Sequence, residues 1–386
     1  MDPINAPEYS DFRREVRTWL AEHLVGEFYA HRGVGGPTDD TAWDVRLAWE
    51  RELSKGNWLG LSWPVEYGGR GAGLAEEIIF EYEYARAAAP ARVNFQALDL
   101  LGPTLLAHGT EEQKRRFLPR ILAVEEMWGQ GFSEPDAGSD LASVRTKAVL
   151  ADGEWHIDGQ KVWTTFGDRA DWLYVLCRTD PDAALRHRGL TLLLVPVDQS
   201  GVEIRPIENI ARSAEFSECF FNDARTTKDM VVGGVGNGWT VVMSTLSLER
   251  GSALMPMQLA VEREVGELIE AARHSGALDD RRVRQRLVDA LIGVHIMRST
   301  NLRVVSDLLV DRSGSTAAAT ASKLFASTHH QRLGELAVEI LGAEAIFGSD
   351  DNARKLFLLS RAETIYGGTS EIQRNIIAER VLGLPR

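Results

Sequence analysis

The sequence predicts an α+β fold laid out in three successive blocks: helical over residues 1–125, strand-rich over 126–232 and helical again over 233–386. Three observations predict it. Apolar residues recur at three- and four-residue spacing near the N-terminus, the middle block alternates around Asp-Gly pairs, and the chain after Gly238 runs as long amphipathic stretches. With 386 residues, the chain has room for about two or three cooperating units of ordinary size.

In the first block, Phe12, Val16, Trp19 and Leu20 fall on one helical face. Further on, Thr110 stands three residues before Gln113, the spacing of a capping box at a helix start. Between these helices "GNWLGLSWPVEYGGRGAG" carries glycines and Pro64 that interrupt regular structure, so it reads as a structured loop. In the middle block "RTKAVLADGEWHIDGQKVWTTFG" contains Asp152-Gly153 and Asp158-Gly159, read as two hairpin turns flanked by Trp155, Ile157 and Val162. "GLTLLLVPV" and "SECFFNDART" add further strands. The last block, through "RVRQRLVDALIGVHIMRSTNLRVVSDLLV" and "SKLFASTHHQRLGELAVEIL", has the texture of antiparallel bundle helices.

Composition narrows the function classes. Hydrophobic residues are 44% and charged residues 26%, as in an ordinary globular protein. A net charge of -13 argues against nonspecific binding to nucleic acid or an anionic membrane, because a phosphate surface needs a basic face. Cys177 and Cys219 form no CxxC pair, so neither a zinc site nor a disulfide framework is expected. The N-terminus "MDPINAPEYSDFRREVRTWL" has no apolar signal core and no run of about 18 apolar residues occurs, so a cytoplasmic protein without a membrane span is expected.

Four stretches carry chemistry: "GQGFSEPDAGSDLASVRTKA", "DGQKVWTTFGDRADW", "GNGWTVVMSTLSLERG" and "IYGGTSEIQRNIIAERVLG". In this order and spacing, together with "NWLGLSWPVEYGGRG", they make nearly the whole chain resemble the acyl-CoA dehydrogenase family. The resemblance implies an N-terminal helical domain, a middle β-barrel or sandwich domain and a C-terminal four-helix bundle. It also implies FAD as cofactor, an acyl-CoA substrate and an electron-transferring flavoprotein as acceptor. A flavin needs hydrogen-bond donors along its polar edge and an aromatic wall against water. By the family's pattern Ser133 lies near the pyrimidine edge of the isoalloxazine, Ser139 near phosphate or substrate, Thr165 near N5 and Trp163 against the ring. Thr369 and Glu371 match positions near the ADP portion.

In this family a base removes the α-proton of the thioester while the β-hydrogen leaves as hydride, giving the trans-2-enoyl-CoA. Many members place that base as a glutamate in "IYEGT"; here the position is Gly367. Members resembling the long-chain and isovaleryl enzymes carry the base on an earlier helix, in an "ER" pair that this sequence has as Glu249 and Arg250. Val242, Leu246 and Ala253 share a helical face with Glu249, so a partly desolvated carboxylate with a raised pKa is expected there. Gly367 leaves room for it, and its main-chain N–H can donate to the thioester carbonyl. Arg250 matches a family arginine at the substrate and helix-packing site.

Two family motifs are altered. Homotetrameric members clamp the ADP half of FAD with a neighbouring subunit's "RxxFG" and "QxxGGxG". This chain has "ARHSGALDD", which keeps Arg273 but no phenylalanine, and "EILGAEAIFG", with Glu339 in place of glutamine. A carboxylate near a pyrophosphate is unfavourable, and Arg281 or Arg284 are the nearby cations that could replace the clamp. The pattern resembles the paired chains of actinobacterial steroid side-chain enzymes, in which two different dehydrogenase-like chains assemble as α2β2. Either a homo-oligomer or such a heterotetramer is implied, with this chain as the base-bearing member. The alternatives are a noncatalytic partner subunit and an oxygen-reactive or biosynthetic flavoenzyme of the same fold.

Overall fold

The computed structural model describes residues 6–385 except 37–38, 253, 311–315 and 349–351; the side chains of 247–254, 316–317 and 346 also lie outside the description. Among the described residues, six α-helices open the chain: α1 (Ser10–His23), α2 (Gly26–Ala30), α3 (Trp43–Lys55), α4 (Leu74–Arg86), α5 (Gly102–His108) and α6 (Glu111–Leu122). Eight strands follow, β1 (Trp128–Gly131), β2 (Lys147–Ala151), β3 (Glu154–Thr165), β4 (Trp172–Arg178), β5 (Leu190–Pro196), β6 (Val202–Ile207), β7 (Phe216–Thr227) and β8 (Val231–Val232). The remainder is helical: α7 (Gly238–Ser252), α8 (Leu254–Ser275), α9 (Arg281–Val310), α10 (Thr316–Leu341), α11 (Glu344–Phe347), α12 (Asn352–Glu363) and α13 (Ser370–Ile376).

The chain folds into two compact units. One comprises residues 1–22, 74–88 and 250–386, the other 23–73 and 89–249. In the first, α8, α9, α10 and α12 bury Val265, Leu287, Met297, Leu333 and Ala353 in one core, the expected bundle. Phe12 of α1, Ile79 of α4 and Met255 of α8 form a second apolar cluster in the same unit. Arg17 of α1 clamps the buried Glu83 of α4 with two 2.8 Å bonds, so that carboxylate has the charged partner its burial requires.

The second unit is organised by a mixed sheet of order β6-β7-β3-β2-β4-β5-β8, with β1 pairing in parallel with β4. Trp155, Ile157, Leu173, Val175, Leu193 and Cys219 form its core. Thr110 caps α6 as its spacing predicts: its Oγ1 accepts the Gln113 N–H at 3.2 Å, and the Gln113 side chain accepts the Thr110 N–H at 3.1 Å. The loop "GNWLGLSWPVEYGGRGAG" is ordered around buried Trp58, Leu61 and Trp63.

One expectation is corrected. Asp152-Gly153 does form the β2–β3 turn, with φ of 51° and 86°. Asp158-Gly159 is not a turn but lies inside β3, where the ladder with β7 slips between Ile157 and Gly159. The physical reason is local crowding: a Cβ on Gly159 would stand 2.7 Å from Thr146 Cα, so glycine serves close backbone approach.

Candidate active site

The strand-borne part of the site is built on β3. Its register with β7 slips a second time between Lys161 and Thr164, and Trp163 in that irregularity has φ of 63°. Positive φ is rare for a bulky aromatic and costs about 1–3 kcal/mol, an expense concentrated at functional positions. The bulge aims the side chain out of the sheet. Trp163 is 57% exposed, edge-on to Phe216 at 5.8 Å between ring centroids. Thr165, half-buried, pairs with Phe216, while Ser133, also half-buried, accepts the Val162 N–H through its main-chain oxygen at 2.9 Å. Ser133, Trp163 and Thr165 are thus brought together at one rim of the sheet. Ser139 is exposed on the loop that follows Ser133.

A buried ion pair supports that rim. Lys161, fully buried, sends its ammonium to Glu134 Oε1 at 2.7 Å and to Phe132 O at 3.0 Å. Glu134 also accepts the N–H groups of Arg145 at 2.7 Å and Thr146 at 2.8 Å. Burial opposes the Glu134 charge, but Lys161 and these donors outweigh it and hold the carboxyl below its ordinary range. The lysine is pushed down by its own burial, against the pull of Glu134. Ser133 lies between the two residues that this pair anchors. Neither Lys161 nor Glu134 was singled out by sequence reasoning. The available signal was a lysine inside an otherwise half-buried strand.

Two further candidates, Glu249 and Gly367, lie far apart along the chain. Glu249 falls in α7, where Val242 is buried and Leu246 half-buried, while the side chains of Glu249, Arg250 and Ala253 lie outside the described residues. Gly367 and Gly368, with φ of 63° and 90°, form the turn after α12. Both carbonyls of this turn are occupied: Gln373 Nε2 donates to Gly367 O at 2.9 Å and Lys323 Nζ to Gly368 O at 2.7 Å. Among the described residues, the Gly367 N–H has no hydrogen-bond acceptor within the protein. Thr369 caps α13 by accepting the Ile372 N–H at 3.2 Å, and the exposed Glu371 pairs with Arg374 at 3.2 Å, a compensating cation for that acid.

Gly368 makes a direct test of this turn. A Cβ there would approach Gln373 Nε2 to 2.8 Å, whereas at Gly342, also at positive φ, it would meet nothing within 4 Å. Gly368→Ala is therefore expected to lower unfolding free energy by about 1–3 kcal/mol in urea denaturation, and by more than Gly342→Ala does.

The altered clamp residues are engaged within this chain. Arg273 pairs with Glu270, and Arg284 donates to the carbonyls of Leu278 and Asp279. Glu339 is paired with Arg286, which offsets the negative charge at that position. A cavity of about 310 Å³, lined by Tyr82, Met255, Gln258 and Leu302 among others, contains none of the residues expected at the site. No helix among the described residues is long and apolar enough to cross a membrane.

Comparison with known proteins identifies the family. Family models for the acyl-CoA dehydrogenase N-terminal, middle and C-terminal domains match residues 6–125, 129–224 and 236–382. The chain is 49% identical over 383 residues to the acyl-CoA dehydrogenase IpdE1 of Mycobacterium tuberculosis, covering 98% of each. Among solved structures it is similar to the Tcur3481-Tcur3483 steroid ACAD, at TM-score 0.86 and 30% identity over 100% of both chains. It is likewise similar to a chain of the ChsE4-ChsE5 complex from Mycobacterium tuberculosis, at TM-score 0.84 and 30% identity, over 99% of this chain and 98% of that one. With three domain models spanning its length and a relative 49% identical over 98% of both chains, the chain belongs to the acyl-CoA dehydrogenase family of oxidoreductases.

Proposed function

We propose that this chain introduces the α,β double bond into an acyl-CoA thioester, using bound FAD, as the base-bearing member of an assembly with a second dehydrogenase-like chain. The observation that carries the reading is the Gly367 turn, whose main-chain N–H has no acceptor among the described residues, at the position where many relatives have their carboxylate. The rim of β3 fits a flavin: an outward-facing indole in a strained bulge, flanked by half-buried Ser133 and Thr165, supplies an aromatic wall and hydroxyl donors. FAD, when bound, supplies the hydride acceptor.

The chain's own residues do the rest. Glu249 takes the α-proton, and loss of that proton places negative charge on the thioester oxygen. The Gly367 N–H donates to that oxygen, stabilising the enolate character of the transition state. Ser139 and Arg250 contact the substrate. Trp163 keeps water from the reacting face, with Ser133 and Thr165 orienting the cofactor beside it. Thr369 and Glu371 lie toward its ADP half, and Arg273 is what remains of the motif that in homotetrameric relatives clamps a neighbouring subunit's cofactor. An electron-transferring flavoprotein is the proposed acceptor.

Partner and substrate class follow from two observations. Arg273, Arg284 and Glu339 are satisfied within the chain, which leaves a poor clamp for a second copy's cofactor. Two similar solved structures are the ChsE4-ChsE5 complex and the Tcur3481-Tcur3483 steroid ACAD. A steroid-derived acyl-CoA is therefore the proposed substrate class. The test is the visible spectrum of the purified protein, alone and with any co-purifying chain, before and after anaerobic addition of straight, branched and steroid-derived acyl-CoAs. Bleaching by the steroid-derived thioesters is expected. A flavin-loaded protein that none of the panel bleaches would overturn the reading.

A further inference from the structure

The turn that carries Gly367 is anchored by a network with no counterpart in the motifs. Glu363 is the last residue of α12, and both of its carboxylate oxygens lie 2.8 Å from His330 Nδ1 on α10. The other ring nitrogen of His330 lies 2.7 Å from Glu264 Oε2 on α8. Ionised carboxylates only accept, so an imidazole placed between two of them donates from both nitrogens and is an imidazolium. The side chains of His330, Glu264 and Glu363 are 13%, 26% and 15% exposed, so these bonds are only partly screened by water.

Lys323, two turns earlier on α10, completes the arrangement. Its ammonium binds Glu363 O at 3.0 Å and Gly368 O at 2.7 Å, tying the end of α12 to the turn itself. A cation at a helix C-terminus also meets the negative end of the helix dipole. Glu363 is thus gripped at its side chain by His330 and at its carbonyl by Lys323. Gln373 holds Gly367 O. None of these anchors uses the Gly367 N–H.

We propose that His330 is a positioning residue for the reaction: by gripping Glu363 it fixes the end of α12 and the 364–368 turn, so that the Gly367 N–H keeps one orientation toward the thioester carbonyl. This rests on the reading of Gly367 as the carbonyl donor. His330 touches neither substrate nor cofactor in this role; it acts through Glu363. Glu264 holds the far side of the ring and serves stability alone. A donor displaced by a fraction of an ångström loses much of its transition-state value, since such stabilisation depends on preorganised geometry.

The test uses the flavin-loaded protein, with any co-purifying chain, and a trans-2-enoyl-CoA carrying carbon-13 at the thioester carbonyl. The infrared difference spectrum reads polarisation of that carbonyl on binding. In the wild type the stretch is expected to move to lower wavenumber than in free thioester. His330→Gln and Glu363→Gln are expected to lose most of that displacement, with kcat falling roughly tenfold, less than the ~10²–10³ typical for removing a donor outright, and KM nearly unchanged. Glu264→Gln is expected to lower the melting temperature as much while keeping the displacement. If the wild type shows no displacement, the Gly367 reading fails and this inference with it. A normal wild-type displacement retained in both His330→Gln and Glu363→Gln, or lost equally in Glu264→Gln, overturns the positioning role and leaves the Gly367 reading standing.

Discussion

Glu249→Gln is expected to leave FAD uptake intact and to slow substrate-driven bleaching of the flavin by about 10²–10⁴-fold, the usual worth of a positioned general base. Gln preserves the shape of Glu but has no basic site, so substrate binding should change little and the loss should fall on the rate of the chemical step. Rapid-mixing spectroscopy under anaerobic conditions separates these quantities. Retention of near wild-type bleaching would move the base elsewhere in the chain. The reading has this sharp form because Gly367, the alternative base position in the family, has no side chain.

Lys161→Met is expected to destabilise the protein by about 3–5 kcal/mol, the typical cost of breaking a buried ion pair from one side. The methionine replaces the aliphatic stem well enough; the cost lies in the partner left behind. Glu134 is 9% exposed and would keep only the Arg145 and Thr146 amides as donors, with no cation at its Oε1. The pH dependence follows from the direction of its shift. Glu134 is held below its ordinary pKa in the folded protein, so its stabilising contribution is present above the ordinary carboxyl range and is lost as pH falls through the folded value. Without Lys161 that carboxyl protonates more readily, so the deficit of Lys161→Met should shrink as pH is lowered through the carboxyl range. Combining it with Glu134→Gln should recover part of the loss, since the stranded charge is then gone. Urea denaturation of the wild type, the two single variants and the double variant at several pH values measures the whole set. A constant deficit at every pH would mean that the charge on Glu134 is not what Lys161 compensates.

His330 illustrates the opposite direction. Burial alone would depress it, but the hydrogen bonds it donates to Glu264 and Glu363 prevail and push it up to about 10. Its contribution to stability is complete below the ordinary histidine range and disappears as pH rises through the folded value. The buried Lys161–Glu134 pair and the half-buried His330 triad therefore fail at opposite ends of the pH scale.

Much of the fold was legible because helices and strands write their period into the sequence. The Thr110 cap, the ordered tryptophan loop and the succession of helical, strand and helical blocks all follow from spacing and turn chemistry. The second Asp-Gly pair misled for a definable reason. The dipeptide that favours a turn also tolerates a strand slip, and only the neighbouring backbone at Thr146 decides between them. A parity break was nevertheless visible: buried Ile157 and Val162 are five residues apart, which strict alternation forbids and the slip explains. The His330 network left no such trace. Its partners lie 33 and 66 residues away along the chain, and no local period links them. Of the candidate site, the motif residues were readable individually, whereas the bulge that turns Trp163 outward and the anchors of the Gly367 turn emerge only from long-range packing.

The division of the chain into interleaved units also sets a schedule for its synthesis. The sheet-containing unit ends at residue 249, so all of its segments exist while the C-terminal helices are still untranslated. The other unit begins first and finishes last: Ile79 of α4 has its cluster partner Met255 supplied only after the whole sheet has been made. At translation rates of about 5–20 residues per second, that interval is on the order of ten seconds. Through it, the apolar face of α4 waits on a nascent chain for the helices that will cover it.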